Sequence, residues 1–185
     1  MEILKFRVVV DHEQDIFRDI EIQSEKNIEC LHGEIIKAFN FRGDQMASFY
    51  MSNDSWEKGQ EIGLMDMSFG EESGPPTMGS ALLSEFVIDA NQKILYVYDF
   101  LKMWIFYLEL IEGKQADPNV SYPRVTHCFG DAPIEDEKEI DDIIPESSQE
   151  NASKSIESEI EDIMSEFDDE ITSEGGFDNI DDLDI

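Results

Sequence analysis

From residue 94 to residue 111 the chain runs Ile-Leu-Tyr-Val-Tyr-Asp-Phe-Leu-Lys-Met-Trp-Ile-Phe-Tyr-Leu-Glu-Leu-Ile, its densest apolar and aromatic stretch. The run approaches the roughly 20 apolar residues that a membrane-spanning helix requires. Asp99 and Lys102 would then sit deep in hydrocarbon at a cost of about 2.5–3.5 kcal/mol each, with Glu109 adding a smaller one near the end. Two strands satisfy the same residues better. Residues 94–98 and 104–111 are rich in β-branched and aromatic side chains, and residues 99–103 form a hairpin-sized connection between them. Such a hairpin has to be buried, so the rest of the chain is expected to cover it.

The preceding sequence supplies the cover. Leu4, Phe6, Val8 and Val10 alternate with Ile3, Lys5, Arg7 and Val9, which predicts a strand with one wetter face. After the polar residues 11–15, a second strand is expected over 16–22, with Ile16, Ile20 and Ile22 facing one way and Phe17, Asp19 and Glu21 the other. Asn27 is placed to cap a helix carrying Ile28, Leu31, Ile35 and Phe39 on one face. Lys37 suits its C-terminal dipole, and Asn40 suits a left-handed end. Short strands are expected at 47–51 and 61–67, a loop at 70–76, a brief helix capped by Ser80, and a turn at 89–92. A loop should follow from 113 to 119, with Pro123 holding Tyr122 extended where ordered chain resumes. The fold class is α+β.

Charge divides the chain. Of a net −31, residues 135–185 carry −19, and residues 1–134 hold nearly all the aromatics. The expected organisation is an α+β domain over 1–134 and an acidic, disordered tail over 135–185. Within the tail, Ile156, Ile160, Ile163 and Phe167 recur near helical period, so an acidic amphipathic helix is expected over 156–171. Phe177, Ile180 and Leu183 stand between carboxylates in the manner of a short docking segment. Both parts are acidic, which argues against direct nucleic-acid binding, since that draws on Lys and Arg neutralising phosphates. The start, Met-Glu-Ile-Leu-Lys-Phe, is too short and too charged for a secretory leader, and a cytoplasmic location is expected.

Chemistry-bearing residues are few. Cys30, His32, His127 and Cys128 are the soft-ligand candidates, but Cys30 and His32, two apart on a helix, point about 200° from each other. No metal and no cofactor are expected. Asp99, His32 and His127 are the candidates for a polar pocket. For Asp99 the competing role is a turn carboxylate that caps neighbouring N–H groups. No glycine-rich phosphate loop is present, and none of the 44 acids can be singled out as an acid–base pair.

Leu31-His32, Phe39-Asn40-Phe41, Asp44, Phe49, Tyr96-Val97-Tyr98-Asp99-Phe100, Trp104, Tyr122-Pro123-Arg124 and Pro133-Ile134-Glu135-Asp136 occur in this order. In order and spacing they resemble the plasmid pRiA4b ORF-3-like family, which travels with insertion elements under a resolvase-like name. The resemblance spans most of residues 1–136. It implies an α+β domain with a curved, mostly antiparallel sheet against helices. Where it implies more polar residues, His and Cys among them, this chain has Leu101, Lys102, Phe106, Gln45 and Ala132. The expected function is a non-catalytic binding or adaptor module whose tail docks a protein partner. The alternatives are a small metal-dependent or hydrolytic enzyme working near Asp99 and His32, and a nucleic-acid mimic acting on DNA-handling proteins.

Overall fold

The computed structural model describes residues 1–66, 74–87 and 90–138. Among the described residues, seven strands and two helices follow one another as β1 (Glu2–Val10), β2 (Phe17–Gln23), α1 (Ile28–Phe39), β3 (Ala47–Ser52), β4 (Glu61–Gly63), α2 (Leu83–Phe86), β5 (Lys93–Tyr98), β6 (Trp104–Gln115) and β7 (Arg124–Phe129). The strands form one antiparallel sheet in the order β4-β3-β5-β6-β1-β2-β7. This is the α+β architecture expected. Among the described residues no helix is long and apolar enough to cross a membrane.

The aromatic run forms the middle of the sheet. β5 and β6 pair from Lys93↔Glu109 to Tyr98↔Trp104, and Tyr96, Tyr98, Trp104 and Phe106 are fully buried. The five-residue connection turns through left-handed conformations at Asp99 (φ 56) and Met103 (φ 50). Asp99 makes the turn possible: its Oδ1 accepts the N–H groups of Leu101 (3.0 Å) and Lys102 (3.2 Å), and its own carbonyl accepts that of Met103 at 2.7 Å. A short side chain able to hydrogen-bond locally is what this conformation favours.

Helix α1 covers the hairpin. Asn27 accepts the Cys30 N–H at its start, and Asn40 ends it in the left-handed region at φ 58. Leu31, Ile35 and Phe39 face the sheet, where the Phe39 ring meets Phe106 edge-on with centroids 5.0 Å apart. Just beyond the helix, Phe41 packs edge-on against Trp104 at 5.0 Å. Each such ring, fully buried, contributes about 1.5–3 kcal/mol.

Several elements depart from their expected form. Strand β6 runs on to Gln115, through residues expected to be a loop, because Glu2 to Lys5 of β1 lie alongside and offer a ladder from Glu2↔Gln115 to Lys5↔Glu112. Strand β4 is only three residues long. Ser80 does not cap α2: its hydroxyl turns to Thr77, Leu82 holds the cap position, and the Glu85 carboxylate accepts the Leu82 N–H. The face of β2 that carries Asp19 and Glu21 is closed to solvent. Asp19 and Glu21 are each 2% exposed, because Arg7 and Lys5 engage Asp19 while Lys114 and Arg124 engage Glu21. Long cationic side chains lie over the carboxylates and seal them from solvent. Most of the loop expected at 70–76 lies outside the described residues, as does the whole amphipathic helix expected at 156–171.

Phe106→Ala is expected to destabilise the domain by about 3–5 kcal/mol, whereas Leu82→Ala, on the surface, should change it by less than about 0.5 kcal/mol. Urea unfolding of the two variants checks this; equal midpoints would show that the Phe106 ring does not anchor the core.

Candidate functional site

Beyond β7 the chain crosses one end of the sheet. Gly130 starts the crossing at φ 72, and a Cβ there would come within 2.8 Å of the Asp15 carbonyl, so the position requires glycine. Residues 133–138, Pro-Ile-Glu-Asp-Glu-Lys, then form a strap over the ends of β1, β5 and β6 and the residues that follow α1.

The strap is held almost wholly by polar groups. Glu135, 7% exposed, accepts the Tyr98 hydroxyl at 2.9 Å on one carboxylate oxygen and the Arg42 backbone N–H at 2.7 Å on the other. Its backbone carbonyl accepts the Trp104 indole N–H at 3.1 Å. The Asp136 carboxylate takes the Arg42 guanidinium in a two-pronged pair, 2.8 and 3.1 Å, and the Lys102 ammonium at 2.6 Å. Glu137 meets His12 at 3.1 Å. The Lys138 ammonium donates to the Met103 carbonyl and lies 4.6 Å from the centre of the Trp104 ring. Gly43 donates its N–H to the Tyr98 oxygen at 3.0 Å, which completes a chain from Gly43 through Tyr98 to Glu135.

The electrostatics follow from these contacts. Burial, with the Glu135 carboxylate adding to it, pushes the Tyr98 hydroxyl up to about 12. Hydrogen bonds from Arg42 and then Lys102 hold the Asp136 carboxyl well below the usual range, and the same pair raises Arg42. Burial lowers the Lys138 ammonium. Charge-assisted, forked hydrogen bonds of this kind are the stronger ones in proteins. With every group engaged, the arrangement holds the two adjacent carboxylates of the chain's own strap, Glu135 and Asp136.

The three residues singled out for a polar pocket lie in different surroundings. Asp99 is occupied as the turn cap of the β5–β6 hairpin. His32 is buried on α1, its Nδ1 2.7 Å from the Tyr96 hydroxyl, and burial lowers its pKa against an opposing effect of Glu29. His127 is exposed on the edge strand β7, stacked on Phe17. Among the described residues no hydrogen bond, ion pair or ring contact joins any of these three to another, and no group of three or more His, Cys, Asp or Glu is arranged to hold a metal. The tail residues Ile156, Ile160, Ile163, Phe167, Phe177, Ile180 and Leu183 lie outside the described residues. Arg42 and Lys102 carried no sequence signal, because nothing local marks which of 44 acids a cation will meet. Glu135 and Asp136 did carry one, through the Pro-Ile-Glu-Asp element of the resemblance.

The sequence profile of the plasmid pRiA4b ORF-3-like protein family matches residues 2–174. It therefore continues past the strap and through most of the acidic tail, further than the resemblance over 1–136 implied. Among solved structures, a protein of unknown function from Methanosarcina mazei Go1 is similar, with a TM-score of 0.64 and 20% sequence identity over 75% of each chain. That likeness is one of fold. No curated protein matches the chain.

Tyr98→Phe is expected to cost about 1–3 kcal/mol, because Glu135 keeps its burial but loses a donor. The Tyr98 contribution is fully present below the ordinary tyrosine value of about 10 and is lost as pH rises towards the folded value. Asp136 acts in the opposite direction: its contribution is present above about pH 4 and is lost as pH falls. Subtracting the 295 nm titration of Tyr98→Phe from that of the parent should leave one tyrosinate ionising near pH 12. Ionisation near 10 would contradict the contact with Glu135.

Proposed function

The chain belongs to the plasmid pRiA4b ORF-3-like protein family, and on that premise we propose that it is a non-catalytic binding or adaptor module whose acidic tail docks a protein partner. The observation carrying this reading is the extent of the family match. It runs through residue 174 and so takes in Ile156, Ile160, Ile163 and Phe167 together with the domain. A tail that served only to solubilise would require carboxylates and no regular apolar spacing. Four apolar residues near helical period between Glu157, Glu159, Glu161, Asp162 and Glu166 fit a groove with a basic rim.

The test compares three baits: the full chain, a chain ending after Lys138, and a full chain with Ile156, Ile160, Ile163 and Phe167 changed to Ser. Ending the second bait after Lys138 keeps the Trp104 and Met103 contacts intact. A partner retained by the first bait and lost from the other two is expected. Its capture should weaken with salt, because exposed charge pairs are screened over about 10 Å at 0.1 M. The same partners on all three baits would overturn the reading.

A further inference from the structure

The strap is seated by its Glu-Asp pair, and that dipeptide occurs only twice in the 185 residues: at Glu135-Asp136 and at Glu161-Asp162. Both copies follow an isoleucine, Ile134 in the strap and Ile160 in the tail. The seat reads the two acidic side chains by separate means. Tyr98 and the Arg42 N–H reach the first carboxylate, while the Arg42 guanidinium and Lys102 grip the second. It reads the backbone between them through the Trp104 indole. Ile134 itself is 70% exposed and contributes little to the fit.

We propose that this seat is a binding site for a Glu-Asp peptide, and that the tail's Ile160-Glu161-Asp162 is its second occupant, in competition with the strap. Charge complementarity favours that segment: in a chain of net charge −31, Arg42 and Lys102 meet on one carboxylate, and the segment repeats the Glu-Asp pair that the seat holds. Length permits it, since 22 residues separate Lys138 from Glu161 and that much chain extends to about 75 Å. Tethering adds to it by keeping the segment at millimolar local concentration, on the order of that given by short linkers. The other paired acids between Lys138 and the end of the chain, Asp141-Asp142, Asp168-Asp169, Asp169-Glu170 and Asp181-Asp182, place Asp first, one methylene short of Tyr98 and the Arg42 N–H. The strap is the stronger occupant. Its Pro133 is buried and its Lys138 lies on Trp104, whereas the corresponding tail residues are Glu159 and Met164. Exchange needs no partner protein, so it stands or falls separately from the docking reading above.

The indole N–H of Trp104 reports the seat, and with only two tryptophans in the chain its proton resonance separates readily from that of Trp56. The probe is a synthetic peptide of residues 156–166, added to full chains carrying strap changes Glu135→Gln and Asp136→Asn, with or without Glu161→Gln and Asp162→Asn. The peptide should move the Trp104 signal and leave that of Trp56 in place. It should bind about tenfold more tightly to the chain whose tail copy is neutralised, because the tethered competitor is then gone. The same peptide with both acids neutralised, and a peptide of residues 176–185, should move neither signal. No shift, or an equal shift from the neutralised peptide, would overturn the seat. Equal affinities for the two chains would overturn the tail's role as occupant. Should the strap variants fail to fold, the parent chain serves: the acidic peptide should move its Trp104 signal at higher concentration and the neutralised one should not, and two identical responses would overturn the proposal.

Discussion

Burial of the Tyr96, Trp104 and Phe106 rings under α1 and Phe41 is the constraint on which the other elements depend. These rings come from the two central strands, so covering them fixes where α1 lies and where the chain goes after Asn40. The turn at Asp99 sets their register. Asp99 and Met103 take left-handed conformations that few side chains adopt at low cost, and the Asp99 carboxylate holds the connection at five residues. A slip by one residue would turn Tyr96, Tyr98 and Phe106 to the opposite face.

The same corner that closes the core also presents the polar seat. Tyr98 is the junction: its ring packs beside Phe41 in the core, while its hydroxyl links the Gly43 N–H to the Glu135 carboxylate. A buried carboxylate is costly unless its oxygens are satisfied, and here each has a donor, with the Arg42 guanidinium 3.6 Å from one of them. This explains how a strongly acidic chain places a carboxylate at the edge of its core. The counter-charges were gathered from the helix end and the hairpin turn, not from the strap itself. Asp19 and Glu21 on the other part of the sheet follow the same rule, each paired with two cations.

The strands and α1 were legible because their signals are local. Alternation in β1, the Asn27 and Asn40 ends of α1 and the β-branched, aromatic hairpin each depend on neighbours within a few residues. The length of β6 was not, because its last residues are strand only through pairing with β1. Nor was the burial of Asp19 and Glu21, whose partners Lys5, Arg7, Lys114 and Arg124 come from three other strands. Asp99 is buried. Its local hydrogen bonds make it a turn cap, the role that its position after Tyr98 also suggested.

The sequence by itself determined that a buried aromatic hairpin would organise an α+β domain and that acidic chain would follow it, because apolar periodicity, capping residues and charge are properties of short segments. Only the tertiary structure decided which acids matter. With 44 carboxylates and 13 Lys and Arg, pairing depends on distances between residues far apart in the chain, such as Arg42 and Asp136. The crossing at Gly130 brings these two together, and with them Glu135 and the Tyr98 hydroxyl. Distance through space governs electrostatic and hydrogen-bond energies, and residue order alone does not contain it.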